Sequence, residues 1–180
     1  MLEDLLLVDL VRNGNTDAFG QIIERYQLPI AKYLYRLIGE HETAKDLTQD
    51  TFMQAFKSLG KDNGQILLKA WLYGIATNKA LQYRRRKKII AFIPFSDYLK
   101  SDPPDNNNQI EELPEKIAVH DALLKVPREQ RVCMVLHFIE GFKYREIAQT
   151  LGISEDAVRM RVARGSLEFR KQYGSKGGDV

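Results

Sequence analysis

Three carboxylates, Glu42, Asp46 and Asp50, recur at four-residue intervals, a spacing that stacks them on one side of a helix. Such a stack could ligate a metal. A helix-bundle di-metal site also needs a histidine three residues after a carboxylate, and none stands there. His41, His120 and His137 are scattered without metal-ligand spacing, and each fits a structural or exposed role. Cys133, the single cysteine, lies between Val132 and Met134, the setting of a buried thiol rather than a nucleophile. The glycine loops that cradle phosphates or dinucleotides, the zinc-protease motif and the strained-serine motif of hydrolases are missing. No catalytic residue, metal or cofactor is expected, and the chain is not read as an enzyme. The acidic helix face is either solvated or a surface for docking a protein.

Binding chemistry is better represented. From Gly141 to Lys171, two short helices flank a tight turn. Ile147, Ala148 and Leu151 form the inner stripe of the first, Gly152 closes it and Ser154 caps the second. At about 100° per residue, Val158, Val162, Gly165 and Phe169 share one face of that second helix, expected over about 154–171. Asp156, Met160 and Ala163 lie opposite, flanked by Arg159 and Arg164. A thin outer surface bordered by arginines suits a DNA major groove, so the pair reads as a helix-turn-helix. A second candidate is the stretch holding Trp71, Tyr73, Thr77, Asn78 and Gln82, which ends in Arg84-Arg85-Arg86-Lys87-Lys88. Aromatic and amide groups beside cations suit a single strand, whose bases stack while its phosphates are neutralised.

Charge supports two separate contacts with a polyanion. The net +3 of the 180 residues conceals a segregation: residues 61–90 carry eight basic groups against one acidic, residues 91–115 one against six, and residues 141–180 eight against five. The lone cysteine excludes an internal disulfide framework and fits a reducing cytoplasm. The apolar N-terminus is interrupted by Glu3, Asp4 and Asp9, unlike a signal peptide, and no run reaches the length of a membrane span.

The elements that must position these groups are all helical. Glu3–Arg12 is short and amphipathic, ending at Asn13-Gly14-Asn15. Thr16 is expected to cap a helix whose core stripe is Phe19, Ile22, Ile23, Tyr26, Ile30, Tyr33, Leu34 and Leu37, with Pro29 implying a kink or break. Helices over about 42–59 and 67–88 complete a first bundle, the latter largely apolar around Leu68, Leu72, Ile75, Ala76 and Leu81. Proline, asparagine and acid without periodicity from about Ser96 to Pro114 mark a linker. Helices over about 115–125 and 128–139, split by Pro127, then pack beneath the helix-turn-helix. The fold class is all-α: an N-terminal four-helix domain (1–90), a flexible acidic linker (91–114) and a C-terminal four-helix domain with the helix-turn-helix (115–180).

In this order the motifs resemble the extracytoplasmic-function sigma factors of bacterial RNA polymerase. Asp46-Leu47-Thr48-Gln49-Asp50-Thr51-Phe52 is similar to the family's polymerase-docking motif, and Trp71-Leu72-Tyr73-Gly74-Ile75-Ala76-Thr77-Asn78 to its WLYRIAxN motif, with a basic run after it. Tyr144-Arg145-Glu146-Ile147-Ala148 and Ala157-Val158-Arg159-Met160-Arg161 match its helix-turn-helix signature. The resemblance implies that Asp46, Gln49, Asp50 and Met53 dock on core RNA polymerase. It implies that Arg159, Met160, Ala163 and Arg164 read the −35 duplex, with His137 on the DNA backbone. Trp71, Tyr73, Asn78, Lys79, Gln82, Arg84 and Arg85 would hold the opened −10 strand, Asn78 taking an extruded base. Gly60–Gln65 would be the melting loop. An anti-sigma factor is a further implied partner. Gly74 replaces a residue that is commonly basic in the family. The competing reading is an autonomous helix-turn-helix regulator whose first bundle senses a ligand or partner.

Overall fold

The computed structural model describes residues 2–60, 66–91 and 114–174. Every regular element among them is a helix: α1 (Leu2–Arg12), α2 (Thr16–Ile38), α3 (His41–Leu59), α4 (Leu68–Ala91), α5 (Pro114–Lys125), α6 (Arg128–Met134), α7 (Tyr144–Leu151) and α8 (Glu155–Gly174). Nearly all of the acidic linker and of the melting loop expected at Gly60–Gln65 lies outside the described residues.

Local chemistry accounts for the boundaries. Asn15, not Thr16, caps α2: its Oδ1 accepts from the Ala18 amide at 3.1 Å, and Gly39 ends the helix with φ 85°. A side-chain amide three residues back reaches the free N–H, whereas Thr16 already lies in the first turn. Pro29 leaves α2 unbroken. It costs one backbone hydrogen bond, the one to the carbonyl of exposed Arg25. The buried stripe continues through it from Ile22 and Tyr26 to Ile30 and Tyr33, and that packing holds the helix together.

The first bundle packs α2 against α1, α3 and α4. At its centre Tyr33 stacks at a tilt on Tyr73, 4.9 Å between ring centres, and its hydroxyl shares a buried 2.6 Å hydrogen bond with Thr77. Burial raises the Tyr33 phenol above its ordinary range, so this hydroxyl stays protonated and paired. In the second bundle α8 lies across α5, α6 and α7. Gly165 is the closest point: a Cβ there would stand 2.5 Å from Met134 Sδ and 3.1 Å from Gln130 Cβ. Arg161 and Glu129 add an α8–α6 ion pair at 2.7 Å.

The helix expected over 128–139 is not uniform. After Met134 it widens into a π-helical turn, Val135–Ile139, closed by the Glu140 amide on the Val135 carbonyl at 3.0 Å. The extra residue in this turn swings Glu140 toward the first bundle.

The two bundles also touch. Arg131, 3% exposed, donates to the Leu37 carbonyl at 2.7 Å and to the carbonyls of Leu124 and Val126. One guanidinium thereby ties off the C-terminal ends of α2 and α5, where unpaired carbonyls and the helix dipoles favour a cation. Burial, with Arg84 and Arg128 nearby, pushes it down to about 10, still well above neutrality, so it remains charged.

Candidate nucleic-acid interface

The helix-turn-helix forms through the residues expected. Gly152 adopts φ 66°, and the Ile153 amide returns to the Ala148 carbonyl at 3.1 Å. The Ser154 hydroxyl accepts from the Ala157 amide at 3.1 Å, starting α8. The helix runs on to Gly174, past the expected end. Val158, Val162 and Gly165 are buried, and Phe169 packs against the core. That rotation leaves Arg159, Met160, Ala163 and Arg164 exposed together. Arg159 is held along its own helix, by Asp156 at 2.9 Å and Glu155 at 3.8 Å. His137 lies half-buried in the π turn, against the rings of Phe138 and Tyr144. Its Nδ1 is 3.0 Å from the Phe142 carbonyl. A carbonyl only accepts, so Nδ1 carries the proton, and Nε2 can donate to a phosphate only when the ring is doubly protonated.

On α4, Trp71, Asn78, Gln82 and Arg85 fall within an arc of about 60°. Asn78, Gln82 and Arg85 are exposed and Trp71 is half-buried. Lys79 borders this stripe and reaches Asp50 on α3 at 4.0 Å. Tyr73 and Arg84 do not share it. Tyr73 lies about 140° round from Asn78, and Arg84 within about 20° of Tyr73. The Tyr73 ring is 1% exposed, and its hydroxyl donates to the Glu140 carboxylate at 2.5 Å. Burial first, then this bond, raises its phenol above the ordinary range. Arg84 donates to the Ile38 carbonyl at 2.7 Å, closing the end of α2. In this structure both face inward, away from the other candidate strand-binding residues.

The basic run divides in the same way. Lys87 pairs with Glu40 at 2.7 Å, and Tyr83 donates to the same carboxylate at 3.1 Å. Partial burial opposes ionisation of Glu40, yet the bonds from Lys87, Thr43 and Tyr83 outweigh it and hold its carboxyl below the ordinary range. Arg85 and Arg86 remain exposed at the surface.

On α3, Asp46, Gln49, Asp50 and Met53 are exposed along one face. Phe56 extends it, 49% exposed and edge-on to Phe19 at 5.0 Å. The exposed Phe56 does not stand out in the sequence, because a phenylalanine in an amphipathic helix ordinarily belongs to the core. Among the described residues no three His, Cys, Asp or Glu side chains gather as metal ligands, and no helix is long and apolar enough to cross a membrane.

Two family models match: sigma-70 region 2 over residues 22–89 and sigma-70 region 4 over residues 116–168. The ECF RNA polymerase sigma-E factor of Haemophilus influenzae is 30% identical over 175 residues, covering 91% of each chain. The ECF sigma factor BldN of Streptomyces coelicolor is 28% identical over 85% of this chain, which spans only 59% of BldN. Among solved structures, CnrH in complex with the cytosolic domain of CnrY superposes with a TM-score of 0.73 at 25% identity, covering 96% of this chain and 98% of that one. Both bundles match sigma regions, so a ligand-sensing first bundle on an autonomous regulator is not favoured. With its two modules, their order and a relative alike over nearly full length, the chain belongs to the extracytoplasmic-function sigma factors, which direct RNA polymerase to its promoters.

Proposed function

We propose that the two modules divide promoter recognition at the residues described above. The module of residues 115–180 reads the −35 duplex through Arg159, Met160, Ala163 and Arg164, with His137 on the backbone. The module of residues 1–90 holds the opened −10 strand along Trp71, Asn78, Lys79, Gln82 and Arg85, and docks on core polymerase through Asp46, Gln49, Asp50 and Met53. Phe56 extends that docking face. Residues 91–114 span the gap between them. The chain works by binding, in the cytoplasm, and does no covalent chemistry. Extruding a base costs a few kcal/mol, and stacking on an aromatic platform returns about 1–3 kcal/mol per base. Contacts made only to the open strand therefore favour melting. An anti-sigma factor is the regulatory partner.

The observation that carries this reading is the α8 face. Its inner residues are consumed by packing, while Arg159, Met160, Ala163 and Arg164 together face solvent. Promoter-directed transcription by core polymerase supplied with this chain is the test. Specific transcripts are expected from the wild type, and their loss from Asp46→Arg. Core polymerase that neither binds the chain nor gains promoter-specific starts would refute the reading.

A further inference from the structure

The outward stripe of α8 continues past Arg164. At about 100° per residue, Leu167 points within about 20° of Met160, between the directions of Ala163 and Arg164. Leu167 is 65% exposed, more than any other large apolar residue among those described. The inner side of the same turns is taken up by packing. Gly165 is set close against Met134 and Gln130, and Phe169 packs on the core and stacks on Tyr173 at 5.8 Å. Glu168, the carboxylate beside Leu167, is held by Gln172 Nε2 at 2.6 Å. One turn further on, Arg170 and Lys171 are exposed, with Lys171 again within about 20° of Met160. A bare leucine therefore stands on the reading face between Arg164 and two more cations.

Met160, Ala163, Arg164 and Leu167 have the spacing i, i+3, i+4 and i+7, with which a helix seated in a major groove meets base edges. Leu167 is three residues past Arg164, about 4.5 Å along the axis, a little more than one base-pair step of about 3.4 Å. It therefore reaches the next base pair rather than the same one. A branched apolar side chain offers no hydrogen bond. The apolar group that a base edge presents in the major groove is the thymine C5-methyl. Amino or carbonyl groups of the other bases would lose water against leucine without gaining a partner. We propose that Leu167 is a further specificity-determining residue of the −35 reader. It takes a thymine methyl one base pair beyond the pair met by Arg164, while Arg170 and Lys171 meet phosphates where the helix leaves the groove. The proposal rests on the assignment of α8 to the −35 duplex given above.

Leu167→Ala is the informative variant, because it shortens an exposed side chain to a good helix former and spares the fold. Holoenzyme made from core polymerase and the full chain, wild type or variant, transcribes a pool of promoters randomised across the −35 element and its flanking base pairs. The wild type should select thymine at one base pair adjoining the pair whose preference is lost with Arg164→Ala. That thymine preference alone should disappear with Leu167→Ala. Uracil in place of this thymine removes only the methyl group. The wild-type holoenzyme should then bind about four-fold more weakly, the transfer value of one buried aliphatic carbon, whereas the Leu167→Ala holoenzyme should bind both promoters alike. Unchanged selection by Leu167→Ala, or wild-type affinity indifferent to the methyl group, overturns the proposal. So does an effect of Leu167→Ala confined to stimulation by another DNA-bound protein, which would make the leucine a protein contact. A wild type that yields no promoter-specific transcript refutes the −35 assignment itself, so the two failures are distinguishable.

Discussion

Arg159 is engaged before it meets DNA, and that gives a prediction whose sign is opposite to that of an alanine scan. Its guanidinium lies 2.9 Å from Asp156 and 3.8 Å from Glu155. To reach a base edge it must leave both carboxylates. The Arg159 and Asp156 side chains are 60% and 86% exposed, so each pair is worth about 0.2–1 kcal/mol. A bidentate base contact is worth about 1–3 kcal/mol, so the carboxylates withhold part of that gain without cancelling it. Asp156→Asn should therefore tighten −35 binding by up to about five-fold, since 1.4 kcal/mol corresponds to ten-fold. Losing a carboxylate from the first turn of α8 weakens a dipole interaction of about 0.3–1 kcal/mol, which lowers stability without opposing the affinity gain. The measurement is promoter affinity of the polymerase complex for wild type, Asp156→Asn, Arg159→Ala and the double variant. In the cycle, most of the gain from Asp156→Asn should vanish once Arg159 is alanine. An equal gain in both backgrounds would show that Asp156 acts only as a negative charge near phosphate. A loss of affinity on Asp156→Asn would show that this carboxylate itself contacts the promoter. Either result refutes the argument that Arg159 is held in reserve.

Other consequences follow from the same geometry. Asn78→Ala should slow formation of the open complex, read by permanganate reactivity of unpaired thymines, while −35 binding is nearly unchanged; equal losses at both steps would refute the division between modules. Arg131→Met leaves the carbonyls of Leu37, Leu124 and Val126 without their donor. Unsatisfied buried acceptors at about 1–3 kcal/mol each, partly offset by removal of a buried charge, give a net loss of about 2–4 kcal/mol, seen as a melting temperature roughly 5–15 °C lower. Gly165→Val should cost about 1–3 kcal/mol by forcing α8 off Met134 and Gln130, measurable by urea denaturation. Cys133 is fully buried, and burial raises its thiol above the ordinary range, so it should resist thiol-disulfide reagents in the native chain and react once unfolded.

Much of the site was legible because its signals are local. Gly152 and Ser154 identify the helix-turn-helix turn by conformation and capping. The 3.6-residue period separates Val158, Val162 and Gly165 from Arg159, Met160, Ala163 and Arg164. The same geometry contained information that adjacency in sequence obscured. Tyr73 and Arg84 sit within a motif of strand-binding type, but their angles on α4 set them opposite Asn78, and the structure employs them in packing and in capping α2. The Asn15 cap was likewise within reach, since Asn15 and Thr16 are both good caps and only backbone geometry decides between them. The contacts between modules were not legible in this way. Glu140 follows a π turn that no hydrophobic period announces, and its partners Arg36, Lys69 and Tyr73 lie 67 to 104 residues earlier in the chain. Gly74 could be recognised as a departure from the family pattern, yet nothing in the sequence sets Thr150 against it. Periodicity reports which face of a helix is buried; it carries no information about which neighbour buries it. Residues that join two bundles are therefore the ones a sequence conceals.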